Sequence, residues 1–255
     1  MLVMTFNLRF QNDFDGKNSW DNRKEIVTGL ISDYAPSVLG TQEGTTGQLR
    51  YLQENLAGYE LLAPERLWEE DCQYCSLFYR KDRLIPLRGG EFWLSETPQV
   101  HRSIGWDSAY PRMISYGFFH ELASGRNICA AVTHLDNIGV EARKQQARIA
   151  CEWLSDQDCP RILMGDFNDR PLSEVHKVIT GSGMLDTWQV LRKFEDESGI
   201  TYHKFQGIPQ VFRMDWIFVT PEFDVADALV IRDHGPQDRY PSDHFPYLAR
   251  LALNH

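Results

Sequence analysis

The chain lacks any apolar run of the roughly 18–20 residues that a bilayer-crossing helix needs, so nothing in it is expected to span a membrane. No basic segment precedes its first apolar stretch, Met1-Leu2-Val3-Met4-Thr5-Phe6, and no Ala-x-Ala cleavage signal follows it. That stretch therefore reads as the first strand of the fold and not as a secretory leader. Cysteine is scarce and odd in number, five in 255 residues, too few to staple a chain of this length. Reduced thiols in a cytoplasmic protein are the simplest reading. Cys72-Gln-Tyr-Cys75 has the spacing of a redox or zinc half-site, but no second pair completes it. Two half-buried thiols at the start of a strand are the plainer interpretation. Basic residues are outnumbered, 26 against 36 acidic, for a net charge of −10. This balance argues against a broad duplex-binding surface. It does not exclude an enzyme acting on nucleic acid, because a bound divalent cation supplies positive charge locally. There is no Gly-x-Ser-x-Gly elbow and no phosphate-binding Gly-Lys-Ser/Thr loop, which weakens serine-hydrolase and NTPase readings.

What is present is globular: 42% hydrophobic and 24% charged residues, which excludes disordered, fibrous and collagen-like classes. No repeat, low-complexity tract or linker interrupts the chain, so residues 1–255 are expected to form a single domain. Alternation of Leu2, Met4, Phe6 and Leu8 with polar or smaller residues predicts a strand. Asn22, with Glu25 three residues on, looks like a helix start, and Ile26, Val27, Leu30, Ile31 and Tyr34 follow at helical spacing. A second strand is expected over 38–42 and a second helix over 46–56. Strands follow over 76–80, 90–94, 114–121 and 127–134. A helix then carries Ala142, Ile149, Ala150, Trp153 and Leu154 on one face. Further strands are expected at 161–165, 215–219, 223–231 and 245–253. Mixed strands with three or four helices suggest two packed sheets with helices outside. Three long polar connections, 10–21, 95–112 and 196–213, are of the length that usually carries function.

The informative pattern is positional. Four apolar strands each end in polar residues: Asn7, Gln42-Glu43, Thr133-His134 and Gly165-Asp166-Phe167-Asn168. Sites in sheet-plus-helix folds form beyond the carboxyl ends of strands. Arg213-Met214-Asp215-Trp216-Ile217 and Ser242-Asp243-His244-Phe245 instead stand at strand starts. If those strands run antiparallel to the others, their starts share the same rim. Carboxylates so gathered repel one another unless a cation sits among them, and oxygen and amide donors with few thiols favour Mg²⁺, Mn²⁺ or Ca²⁺ over structural zinc. Each piece alone has a plainer reading. Asn7 could be a satisfied strand-end amide, Glu43 a helix cap, Gly-Asp-Phe-Asn a turn and Ser-Asp-His an ordinary loop. Their joint placement at one rim makes those readings a poor account of the set. Asp13-Phe-Asp15-Gly16 does not make a calcium loop, because Gln11 and Asn22 would occupy its first and twelfth positions.

Together, Asn7 in Thr-Phe-Asn-Leu-Arg, Gln42-Glu43, Thr133-His134-Leu135, Gly165-Asp166-Phe167-Asn168, Met214-Asp215-Trp216-Ile217 and Ser242-Asp243-His244 resemble the endonuclease/exonuclease/phosphatase superfamily, in that family's order. The 92–98 and 105–112 stretches look like its bacterial metal-dependent hydrolase subgroup. The resemblance implies a four-layer α/β sandwich, two mixed β-sheets face to face with helices outside. It also implies metal-dependent hydrolysis of a phosphodiester or phosphomonoester, with Mg²⁺ as cofactor and Mn²⁺ as the alternative. By the same resemblance Glu43 is the principal metal ligand, helped by Asn7 and Asp243. Asp166 and Asn168 position the attacking water or a second ion. His244 touches the phosphate or moves a proton, oriented by Asp215, and His134 donates a hydrogen bond to a phosphate oxygen. Either Asp166 or the Asp215–His244 pair is the base, and one ion or two are required. Arg112 could clamp the phosphate or pair with a surface acid. Trp106 and Tyr110 could stack on a base or sugar or simply pack. The substrate is expected to be a small or exposed phosphate ester. The alternative is a nuclease on DNA or RNA, with Lys17, Arg23, Arg102, Arg112, Lys204 and Arg213 as the cations flanking the cleft. A lipid-headgroup phosphodiesterase has no apolar hairpin in its favour, and a non-catalytic binding module is disfavoured by the intact polar set.

Overall fold

A computed structural model describes residues Met1–Asn254. In chain order the elements are β1 (Leu2–Asn7), α1 (Trp20–Tyr34), β2 (Val38–Gly44), α2 (Thr46–Asn55), β3 (Tyr59–Leu62), β4 (Tyr74–Arg80), β5 (Leu84–Trp93), β6 (Met113–Glu121) and β7 (Arg126–His134). There follow α3 (Val140–Ser155), β8 (Arg161–Asp166), α4 (Glu174–Gly181), β9 (Leu185–Asp186), α5 (Thr187–Val190), β10 (Asp215–Val219), β11 (Phe223–Val230) and β12 (Tyr247–Leu253). They build two six-stranded sheets, ordered β11-β12-β1-β2-β4-β3 and β5-β6-β7-β8-β10-β9. In each, one parallel pair sits among antiparallel neighbours: β1 with β2, and β7 with β8.

The sheets pack face to face. Leu39, Leu77 and Phe78 of one share a core with Ile128, Val132, Ile162 and Met164 of the other. At Gly40 the approach is so close that a Cβ would lie 2.6 Å from Met164 Sδ and 2.9 Å from a Val132 methyl. The outer faces are covered by helices. Val27, Leu30, Ile31, Leu49 and Leu52 bring α1 and α2 onto the first sheet. Ala147, Ala150, Leu154, Val175 and Ile179 bring α3 and α4 onto the second. The result is four layers, with the central strands buried on both sides. That is why Leu2–Met4 of β1, Val38–Leu39 of β2 and Ile162–Met164 of β8 carry consecutive apolar side chains on both faces.

The expected elements appear with shifted ends. Helix α1 begins at Trp20 after Ser19, so the Asn22–Glu25 pair lies inside the helix and is not its cap. Thr45, and not Glu43, caps α2, in a reciprocal capping box with Gln48. β5 begins six residues before the expected start, at Leu84. Strands β3 and β9 and helices α4 and α5 come from short segments whose periodicity is too brief to read. Asp13–Asn18 forms a 3₁₀ turn, and its Asp15 carboxylate pairs with Arg9 at 3.0 Å.

Candidate active site

The antiparallel relation that the sequence reading required is present. β10 runs against β8 with Asp215 opposite Asp166, and β12 runs against β1. The carboxyl ends of β1, β2, β7 and β8 and the starts of β10 and β12 therefore meet at one end of the sandwich. Three local devices aim the side chains there. The β2–β4 register slips between Thr41 and Gly44, and Glu43 within that bulge takes a left-handed φ of 62°. A bulge of this kind re-aims a side chain at the cost of ladder pairing. Gly165 packs so tightly that a Cβ would sit 2.0 Å from the Thr133 carbonyl oxygen. Ser242 donates its hydroxyl to the Asn7 carbonyl at 2.6 Å, tying the approach to β12 onto the end of β1.

The polar groups then form a connected network. Asn7 Nδ2 donates to Glu43 Oε1 at 3.2 Å and to Asp166 Oδ2 at 3.0 Å, so one amide spans two carboxylates. The Phe10 amide donates to Glu43 Oε2 at 3.1 Å. His244 Nδ1 lies 2.8 Å from Asp215 Oδ2, while its Nε2 faces Asp166 Oδ2 at 3.8 Å. Asp166, Asp215 and His244 bring ligand-type atoms within 4.8 Å of one another, all buried. Asn168 donates its backbone N–H to Asp166 Oδ1 at 2.9 Å. Its side-chain Nδ2 reaches both the Leu135 carbonyl at 3.0 Å and His134 Nε2 at 2.9 Å. The carbonyl fixes the amide's orientation, so His134 Nε2 accepts and Nδ1 carries the ring proton.

The electrostatics follow from burial and crowding. Burial, reinforced by the neighbouring Asp215 charge, pushes the Asp166 carboxyl up to about 7. Burial also raises Asp243, with Glu43 adding to the effect. His244 goes the other way from an ordinary buried imidazole. Burial disfavours its charge, but Asp215, Asp166 and Asp243 outweigh that and raise it to about 10. His134, buried and facing Arg112 and His244, is held well below its usual value and stays neutral. A cavity of about 730 Å³ opens over this network, lined among others by Glu43, Arg112, His134, Asp166, Asn168, Asp243 and His244.

The sequence profile of the Endonuclease/Exonuclease/phosphatase family matches residues 4–244. The chain belongs to that family. As a member of the endonuclease/exonuclease/phosphatase family it is a hydrolase of phosphate esters. Among solved structures, an endonuclease/exonuclease/phosphatase from Bacteroides vulgatus is 31% identical, with TM-score 0.90 over 99% of this chain and 98% of that one. A mannosyl-6-phosphatase from Bacteroides thetaiotaomicron is 28% identical, with TM-score 0.88 over 99% of this chain and 100% of that one. Nocturnin from Drosophila melanogaster is 24% identical over 92% of this chain, which spans only 42% of that protein's length.

Within this family member all nine residues singled out in the sequence come to the same end of the fold. Seven line the cavity directly; Asn7 and Asp215 lie behind them, hydrogen-bonded to Glu43 and Asp166 and to His244 respectively. Arg112 lies 3.5 Å from Asp136 and donates to Asn137 at 3.1 Å, with its buried Nε lacking a hydrogen bond among the described residues. Two of the proposed cleft cations are elsewhere. Arg23 is fully buried and donates to the carbonyls of Leu8, Arg9, Asn18 and Pro241. Arg213 is buried against Asp186 and Glu195. Both charges are spent on holding backbone or carboxylates inside the fold. Lys17 and Lys204 are exposed but do not line the cavity, and neither does Trp106, whereas Tyr110 does. Cys72 and Cys75 are more buried than expected, and burial raises both thiols, Cys75 to about 12. The residues that sequence reasoning missed, chiefly Arg9, Asp71, Gln73, Asn137 and Tyr202, also line the cavity. Arg9 and Asn137 follow strand-end motifs directly, a usable signal; Asp71 and Gln73 flank Cys72 and carry none.

Proposed function

We propose that the protein, acting as one domain, hydrolyses a phosphodiester or phosphomonoester bond by in-line attack of water with Mg²⁺, or Mn²⁺ in its place. The observation that carries this reading is the convergence of Glu43, Asp166, Asp243 and His244 on one cavity, with Asn7 bridging two of the carboxylates. The donor set suits a hard divalent cation. It is mostly carboxylate and amide oxygen, Asp166 is pushed toward its protonated form by burial and by the Asp215 charge, and Asp215 Oδ1 is buried without a hydrogen-bond partner among the described residues. Glu43, Asn7 and Asp243 would hold the ion. When bound it would neutralise the non-bridging phosphate oxygens and help the leaving oxygen depart.

The chain's own groups account for the rest. Asp166 orients the attacking water and takes its proton, a role that suits a carboxylate raised toward neutrality. Asn168 holds Asp166 through its backbone N–H and is itself fixed by His134 and Leu135. His134 therefore acts by orienting Asn168, since its Nε2 is already engaged as an acceptor. Protonated His244 donates from Nε2 toward a phosphate oxygen, with Asp215 fixing the ring and its charge. Arg112 clamps the phosphate with the donors Asn137 leaves unused. A cytoplasmic location forms part of the proposal, on the thiol content of the sequence.

The nuclease alternative asks for a cationic groove, and the burial of Arg23 and Arg213 removes two of the six side chains that would supply it. A small monoester is further supported by the likeness to a mannosyl-6-phosphatase. The test uses aryl phosphate mono- and diesters with Mg²⁺ or Mn²⁺. EDTA should abolish turnover, and His244→Ala should lower kcat by about 10²–10⁴-fold in protein that circular dichroism shows to be folded. Equal rates for His244→Ala and wild type would remove the catalytic assignment.

A further inference from the structure

We infer that the cavity wall formed by Asp71, Gln73, Trp93, Arg102, Tyr110 and Asn137 is a leaving-group subsite for a polyhydroxylated ring, which makes the substrate a sugar monophosphate. The inference rests on the phosphoesterase reading above and narrows its substrate.

Charge comes first. Each arginine lining the cavity is matched by a carboxylate: Arg9 by Asp15 at 3.0 Å, Arg102 by Glu69 and Asp71 at 3.2 Å, and Arg112 by Asp136 at 3.5 Å. A polyanion needs a track of uncompensated cations, and the cavity offers none among the described residues. One phosphate can be held beside the carboxylate cluster; a chain of them cannot.

The remaining wall has the composition that hydroxyl arrays require. A vicinal diol presents donors and acceptors side by side, so its receptor needs both, held in fixed register. Arg102 makes its hydrogen bonds to Asp71 and Glu69 through Nη1 alone, leaving Nε and Nη2 without a partner among the described residues. Asp71, pinned by that guanidinium, keeps lone pairs open on a side chain that is 74% exposed. Gln73 and Asn137 are exposed amides on the same cavity. Tyr110, 55% exposed, offers an aromatic face to the C–H side of a ring, and Trp93 also lines the cavity. The Tyr110 backbone is anchored, its N–H donating to buried Asp136 at 3.3 Å, and the Arg112 guanidinium lies 5.6 Å from its ring centre. A volume of about 730 Å³ accommodates a hexose and its phosphate.

The experiment compares kcat/KM on a hexose 6-phosphate, glycerol phosphate, p-nitrophenyl phosphate and a short oligonucleotide, all with Mg²⁺. The wild type should prefer the hexose ester over glycerol phosphate by at least about tenfold, the worth of one or two well-placed hydrogen bonds. Asp71→Ala and Arg102→Ala should each lower that ratio about tenfold, mainly through KM for the hexose ester. Turnover of the aryl ester without preference for the hexose, a ratio unmoved in both variants, or a wild-type preference for the oligonucleotide overturns the inference and leaves the phosphoesterase reading standing. Failure to hydrolyse any ester with Mg²⁺ or Mn²⁺ overturns both.

Discussion

Replacing Asp166 by Asn should make the metal-free protein more stable and the metal-loaded protein relatively less so. Burial and the Asp215 charge push the Asp166 carboxyl up to about 7 from an ordinary 3.8. The sign is that of a raised carboxyl. The folded state is favoured below about pH 4, and that advantage is lost as pH rises toward 7. A rise of that size corresponds to a penalty of about 4 kcal/mol at pH 7.5. The Asn side chain carries no charge and escapes it. It also has one acceptor where Asp166 uses two, for Asn7 Nδ2 at 3.0 Å and the Asn168 N–H at 2.9 Å, so its NH₂ faces one of those donors, and that conflict costs about 1–3 kcal/mol. A net gain of about 1–3 kcal/mol remains, or roughly 2–12 °C in Tm for a chain of this size. Mg²⁺ at 100 times its Kd should add about 2.7 kcal/mol to the wild type, roughly 5–11 °C, and clearly less to the variant, because an ion held by Glu43, Asn7 and Asp243 also offsets the Asp166 charge that Asn7 joins to Glu43. Thermal denaturation of both proteins at pH 7.5, with EDTA and across a Mg²⁺ titration, decides it. A variant less stable than wild type in EDTA and raised equally by Mg²⁺ would refute both the crowding argument and the location of the ion.

Other consequences are separate from that cluster. Arg23→Met strands the carbonyls that the guanidinium joins across residues 8–18 and Pro241; a loss of about 3–5 kcal/mol, measured by urea denaturation, is expected, and a loss under 1 kcal/mol would deny Arg23 its structural role. Gly165→Ala drives a Cβ to 2.0 Å from the Thr133 carbonyl at φ +154°. It should cost more than about 3 kcal/mol and lower turnover with it, since Asp166 is the next residue. A variant of wild-type stability would show that β7 and β8 yield where close packing says they cannot.

Element type was readable wherever one physical signal dominated. The central strands are apolar on both faces because they lie between two layers, and the polar residues that break those runs at Asn7, Glu43, His134 and Asp166 mark where the layers end. Boundaries were less readable. Ser19 and Asn22 are both competent cap residues, and tertiary packing of Trp20, buried beside Arg23, selects the earlier start. Short elements such as β3 and α5 bury too few residues in sequence for a period to emerge.

The candidate site divides the same way. Shared position at strand ends nominated the carboxylates, amides and imidazoles, because carboxylates gathered at one rim repel unless a cation sits among them, and the family resemblance supplied their expected roles. Composition could not say which arginines reach solvent. Arg23 and Arg102 are equivalent as letters, yet one closes on backbone carbonyls and the other faces the cavity, a choice made by which acceptors the folded loops leave unsatisfied. The wall of Asp71, Gln73 and Asn137 likewise arises only in three dimensions, where loops far apart in the chain come together. Local pattern follows from neighbours a few residues away and is written in the chain. Which distant groups meet depends on how two sheets register and pack, and only the assembled fold decides that.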